Sequence, residues 1–122
     1  MDEARWKKGY EVYRRLTGKE ENLFAGMGDF SDLIMEFVCG EIYARGTLTW
    51  KERQIATLAV LGALGWLPQM KIHMKIALNV GMTETEIEEM LIHIAVYAGF
   101  PAAMNGYRIL GEIREEAGNR DG

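Results

Sequence analysis

The sequence predicts an all-α protein. Apolar residues recur at spacings of three and four along almost every segment, the period of one helical face. Helix-start and helix-stop residues bracket those segments: Thr49 with Glu52, Thr83 with Glu86, Pro68 and Pro101 at openings, Gly81 and Gly99 at ends. No stretch alternates at period two for long enough to make a strand. The pattern gives about six helices in a single domain over 1–122, with no repeat, linker or low-complexity segment.

Residues 3–16 make the first helix, with Trp6, Tyr10 and Tyr13 on one stripe. The glycine-bearing loop TGKEENLFAGMGD (17–29) comes next. A second helix starts at Asp29 or Ser31 and runs to Tyr43. Thr49 caps the third, Glu52 completes its capping box, and it ends near Gly65. The fourth lies in PQMKIHMKIALNVG (68–81): Pro68 suits a first helical position, and Gly81 the residue past the end. Met70, His73, Ile76, Ala77 and Val80 share its inward face, while Lys71 and Lys75 point elsewhere. Thr83 and Glu86 open the fifth helix, which runs to Tyr97 or Ala98. Gly99 breaks the chain, and Pro101 starts the sixth helix, which fades after Glu116 into a frayed tail, 117–122.

The third helix is apolar nearly all round, from Ile55 to Leu64. Such a helix is buried on every side. In a chain of 122 residues this predicts apolar surface hidden by other subunits, hence a homo-oligomer.

Composition narrows the function. A net charge of −4 and 48% hydrophobic residues describe an ordinary globular protein. The acidic balance argues against a nucleic-acid partner, which asks for a basic face. Lys7, Lys8, Arg14 and Arg15 interleave with Glu3 and Glu11 at ion-pairing spacing, as on a solvated face. One cysteine, Cys39, allows no intrachain disulfide and fits a reducing compartment. The longest apolar run, 55–67, is too short to span a bilayer. The charged opening MDEARWKKGYE is no signal peptide. A cytoplasmic protein without a membrane partner is expected.

His73 is the conspicuous residue, a titratable group on an oily stripe. Such a histidine is either a core residue satisfied by one hydrogen bond or a working acid–base group. Two lone histidines, His73 and His93, on different helices make no metal site.

Three blocks then resemble the carboxymuconolactone decarboxylase family, which shares its fold with AhpD-like peroxidase-system proteins. They are GYEVYRRLTG (9–18), CGEIYARGTLTWKERQIATLAVLGALG (39–65) and HMKIALNVGMTETEIEEMLIHIAVYAGFPAA (73–103). The resemblance covers roughly residues 9 to 116. It implies an AhpD-like helical fold, assembly into homotrimers or homohexamers around interfacial sites, and a site role for His73.

Two chemistries share that fold. The AhpD-like branch shows Arg-Glu-Leu, a Cys-x-x-Cys pair and a His. In register with this chain these fall on Arg53, Gln54, Trp66, Gln69 and His73, so both thiols and the carboxylate are missing. Dithiol chemistry is excluded there, and Cys39 on another helix reads as a small core residue.

The decarboxylase branch shows His-Glu-Leu-x-x-His, which falls on Pro68, Gln69 and His73. This branch implies no metal and no organic cofactor. Loss of CO2 from such a lactone pushes electrons onto a carbonyl oxygen, which hydrogen-bond donors stabilise before carbon is protonated. His73 is the candidate proton donor and Gln69 the candidate amide donor to the oxyanion. Gln69 stands where the family has Glu and cannot act as an acid. Glu41, mid-helix among Phe37, Val38, Ile42 and Tyr43, is expected to be partly buried, either as a second acid–base group or as an interhelix partner. Arg45 and Arg53 are candidate cations for a small anionic substrate, or surface ion-pair residues. His93, in a slot where the family often shows Gln, is a structural residue or a pocket-lining one. A non-catalytic helical assembly module, suited by eight methionines, stands as a reading of another class.

Overall fold

The computed structural model describes residues 1–121 and divides the chain into two compact units, residues 1–53 and 54–122. Among the described residues there are six α-helices, one π-helical segment and no strand. The helices are α1 (Glu3–Thr17), α2 (Asp29–Leu33), α3 (Trp50–Leu64), α4 (Leu67–Asn79), α5 (Glu84–Ala98) and α6 (Phe100–Asp121). The unit boundary falls inside α3.

The first unit is built on α1. Asp2 caps it by accepting from the Arg5 backbone N–H at 3.2 Å, and Gly18 closes it in the left-handed region at φ 70°. The expected aromatic stripe is present: Trp6 stacks on Tyr10 and Tyr10 on Tyr13, at centroid distances of 5.5 and 6.3 Å. The tyrosine hydroxyls pin the loop after α1. Tyr10 donates to the Glu20 carbonyl and Tyr13 to the Glu21 carbonyl, each at 2.6 Å, and Tyr13 accepts from the Leu23 N–H.

The second predicted helix departs from the α period. After α2 the chain continues as a π-helix, Ile34–Ile42, in which the Tyr43 N–H reaches back five residues to the Val38 carbonyl at 2.9 Å. Two glycines lie where this segment meets α1. A Cβ on Gly9 would fall inside the Met35 carbonyl, and one on Gly40 would sit 2.8 Å from the Arg5 carbonyl oxygen. The two backbones therefore pack with no side chain between them.

The second unit has one apolar core. Leu58 and Leu61 of α3, Met70, Met74 and Ala77 of α4, Leu91 and Ile94 of α5, and Ile109 and Leu110 of α6 are buried in it. Both predicted capping boxes are formed. Glu52 N–H donates to Thr49 Oγ1 at 3.1 Å and Thr49 N–H to Glu52 Oε1 at 2.8 Å. Thr83 and Glu86 do the same at 3.0 and 2.9 Å.

Two expectations change. The sixth helix does not fade at Glu116 but continues to Asp121; Gly122 lies outside the described residues. Lys71 and Lys75 of α4 hold Glu116 at 2.6 and 2.9 Å, so the last turns propagate from an anchored point rather than a loose end. The third helix is covered along one stripe only, by way of Gln54, Leu58, Leu61 and Gly62. Ile55, Val60 and Leu64 remain exposed on the other side.

Candidate functional site

Helix α4 carries the central residue. Pro68 sits in its first turn as predicted. The face it buries is Met70, Met74 and Ala77, so the inward stripe is rotated slightly from the predicted one. His73 falls at its margin, partly buried rather than enclosed. That position suits a group that exchanges protons, because one edge of the ring is sheltered while the residue stays in reach of solvent.

The sheltered edge has a partner. His73 Nδ1 lies 3.2 Å from Oε1 of Gln54, on the first turns of α3. Gln54 is fully buried, with 0% exposure. A carboxamide oxygen only accepts hydrogen bonds, so Nδ1 carries the hydrogen and Nε2 carries the lone pair. Burial pushes the imidazole below its ordinary value of 6.5, because the charged form loses hydration. At neutral pH His73 is therefore a neutral ring.

Gln69 stands one turn before His73, about 6 Å along the helix axis. Its side chain is exposed. An exposed carboxamide one turn from the histidine can turn its N–H groups toward a ligand that His73 also meets.

The remaining candidates are placed differently. Glu41 is exposed, which corrects the partial burial expected of it. The π-segment buries Met35, Cys39 and Gly40, and its i→i+5 geometry turns less per residue than an α-helix. Faces counted at the α period therefore drift, and Phe37 and Val38 are exposed with Glu41. Arg45 and Arg53 are brought together in the first unit: Arg53 Nη2 donates to the Arg45 carbonyl at 3.5 Å, the long end for such a bond. Arg45 is exposed, and Arg53 is half-buried. His93 is exposed on α5, its ring 5.2 Å from that of Tyr97 on the same helix.

Cys39 is buried, and burial pushes its thiol up to about 11. It is a core residue without the thiolate that redox exchange needs. Among the described residues no three His, Cys, Asp or Glu side chains cluster as metal ligands.

Gln54 is the residue that sequence reasoning passed over. It lies in the slot where the AhpD-like pattern has its Glu, and that register was the available signal. Loss of the carboxylate reads as loss of function in a linear pattern, yet the carboxamide keeps the contact to His73.

Comparison with known proteins identifies the family of the chain. The model of the Carboxymuconolactone decarboxylase family matches residues 28–112, more than half of the chain. The chain is 33% identical over 123 aligned residues to the 4-carboxymuconolactone decarboxylase of Acinetobacter baylyi, covering 96% of this chain and 92% of the relative. It is 34% identical over 104 residues to the nitrosuccinic acid decarboxylase npaB of Metarhizium robertsii, covering 80% of this chain and 72% of the relative. Both relatives are named as decarboxylases, and the match runs through the helices that carry His73, Gln69 and Gln54: the chain belongs to the carboxymuconolactone decarboxylase family.

Proposed function

We propose that this protein is a cofactor-independent decarboxylase of a small anionic lactone or keto-acid, with His73 as its acid–base group. The observation that carries this reading is the half-sheltered His73 on Gln54, in a chain whose named relatives are decarboxylases.

The two relatives' substrates share one chemical demand. Each places a carboxylate on a carbon conjugated to an electron sink: through a ring C=C to a lactone carbonyl in one, directly bearing a nitro group in the other. When the C–C bond breaks, its electron pair moves into that sink and CO2 leaves. The resulting oxyanion, a dienolate or a nitronate, then takes a proton at carbon. Gln69 supplies an amide N–H to the oxyanion. His73 is neutral at rest and gains its proton when the anionic substrate binds, because a nearby negative charge favours imidazolium. It then delivers that proton from Nε2 to carbon and returns to the neutral ring. Arg45 and Arg53, in the first unit, are candidate cations for a small anionic ligand. Glu41 takes no proton-transfer role in this scheme.

The exposed apolar faces support a homo-oligomer, trimer or hexamer. Val60 and Leu64 on α3 and Val96, Phe100 and Met104 on α5 and α6 are more than half exposed in the single chain. Among the described residues no helix is long and apolar enough to cross a membrane.

The test is CO2 release from carboxymuconolactone and nitrosuccinate, measured for the native chain and His73→Ala. Turnover by the native chain, with kcat about 10²–10⁴-fold lower in the variant, is expected. Tight binding of either acid with no CO2 released, unchanged by His73→Ala, would leave an assembly module in place of an enzyme.

A further inference from the structure

We propose that Gln54 is a positioning residue for His73: its buried carboxamide oxygen keeps the hydrogen on Nδ1 and leaves Nε2 as the nitrogen that exchanges protons with substrate. The inference rests on the acid–base role proposed for His73.

The geometry begins with burial. Gln54 is fully enclosed, so its carboxamide cannot rotate to water and must keep fixed partners. It sits on the opening turns of α3, just past the Thr49–Glu52 capping box that fixes where the helix begins. Its enclosed side chain holds Oε1 3.2 Å from His73 Nδ1.

The choice of glutamine over glutamate sets the charge on the ring. A glutamate at position 54 would place a negative charge beside the imidazole and draw it toward imidazolium. A glutamine orients the ring without charging it. The two effects that a carboxylate couples are thus separated here: the tautomer is set by the hydrogen bond, and the charge state is left to burial and to the incoming anion. Because Nδ1 is committed to Oε1, Nε2 is the remaining nitrogen for the reacting carbon. A ring free to choose its tautomer would present the wrong nitrogen part of the time.

The experiment is ¹⁵N NMR of the histidine side chains in the full-length chain, without substrate, at a pH where the ring is neutral. The native protein is expected to show His73 with a protonated Nδ1 and an unprotonated Nε2. Gln54→Leu keeps the volume and removes the acceptor, so the hydrogen is expected to move to Nε2. Gln54→Glu keeps the acceptor and adds charge; Nδ1 stays protonated and the His73 titration moves up by about 1–3 units. The second variant also serves if the leucine variant does not fold. A native ring protonated at Nε2, or a tautomer and titration unmoved by the substitutions, overturns the proposal. Neither readout involves turnover. Absence of CO2 release would sink the proposed activity and leave the tautomer result standing, and the reverse holds equally.

Discussion

At the scale of single residues, His73 links chemistry to stability. Its imidazole is held below 6.5 by burial, the value it regains on unfolding. Between the folded and unfolded values the unfolded chain binds the extra proton, so folding stability rises with pH through that window. The contribution is whole above 6.5 and falls as the pH drops through the folded value. Denaturant titrations at a series of pH values are expected to show this acid-side loss, and His73→Gln to flatten it. An unchanged slope in the variant would remove burial of His73 as the cause. Cys39 gives a second residue-scale prediction. A buried thiol pushed up to about 11 is almost wholly protonated at neutral pH. Native protein should therefore react with iodoacetamide far more slowly than denaturant-unfolded protein, as monitored by mass spectrometry; equal rates would mean that the thiol is open.

At the scale of elements, two close approaches carry specific costs. Gly9 lies against the Met35 carbonyl of the π-segment, with backbone rather than a flexible side chain in the way. Gly9→Ala has nowhere to put its methyl group, and a loss of about 3 kcal/mol or more is expected by chemical denaturation. A loss under about 1 kcal/mol would mean that α1 and the π-segment slide apart readily. The cap of α5 is a milder case. Thr83→Ala removes the acceptor for the Glu86 N–H and is expected to cost about 1 kcal/mol in the same measurement. Both caps were legible in the sequence, since a capping box is a pattern of neighbours three residues apart. The π-segment was not, because its i→i+5 bonds arise where α1 packs closely, and no local spacing announces that. The exposure of Glu41 comes from the same unannounced geometry.

At the scale of the whole molecule, apolar surface dominates the expected behaviour. Val96, Tyr97 and Phe100 are 72%, 81% and 74% exposed, large apolar side chains close together on the surface of the single chain. Self-association through these faces is expected. Sedimentation should give a mass well above the 13.8 kDa of one chain, and Val96→Asp with Phe100→Asp should return it toward that value. A native chain that already sediments at 13.8 kDa would refute the oligomer.

The sequence by itself determined the helical class, the caps that open α3 and α5, the prolines and glycines that punctuate the chain, and the presence of His73 on α4. Each of these rests on contacts between residues a few positions apart. Tertiary structure alone decided which side of α3 is covered, that the second helix widens into a π-segment, that Glu41 faces out, and that Gln54 meets His73 across 19 residues of chain. Those outcomes depend on how one helix rotates against another. A modest rotation leaves every local pattern intact while changing which polar group a half-buried histidine finds.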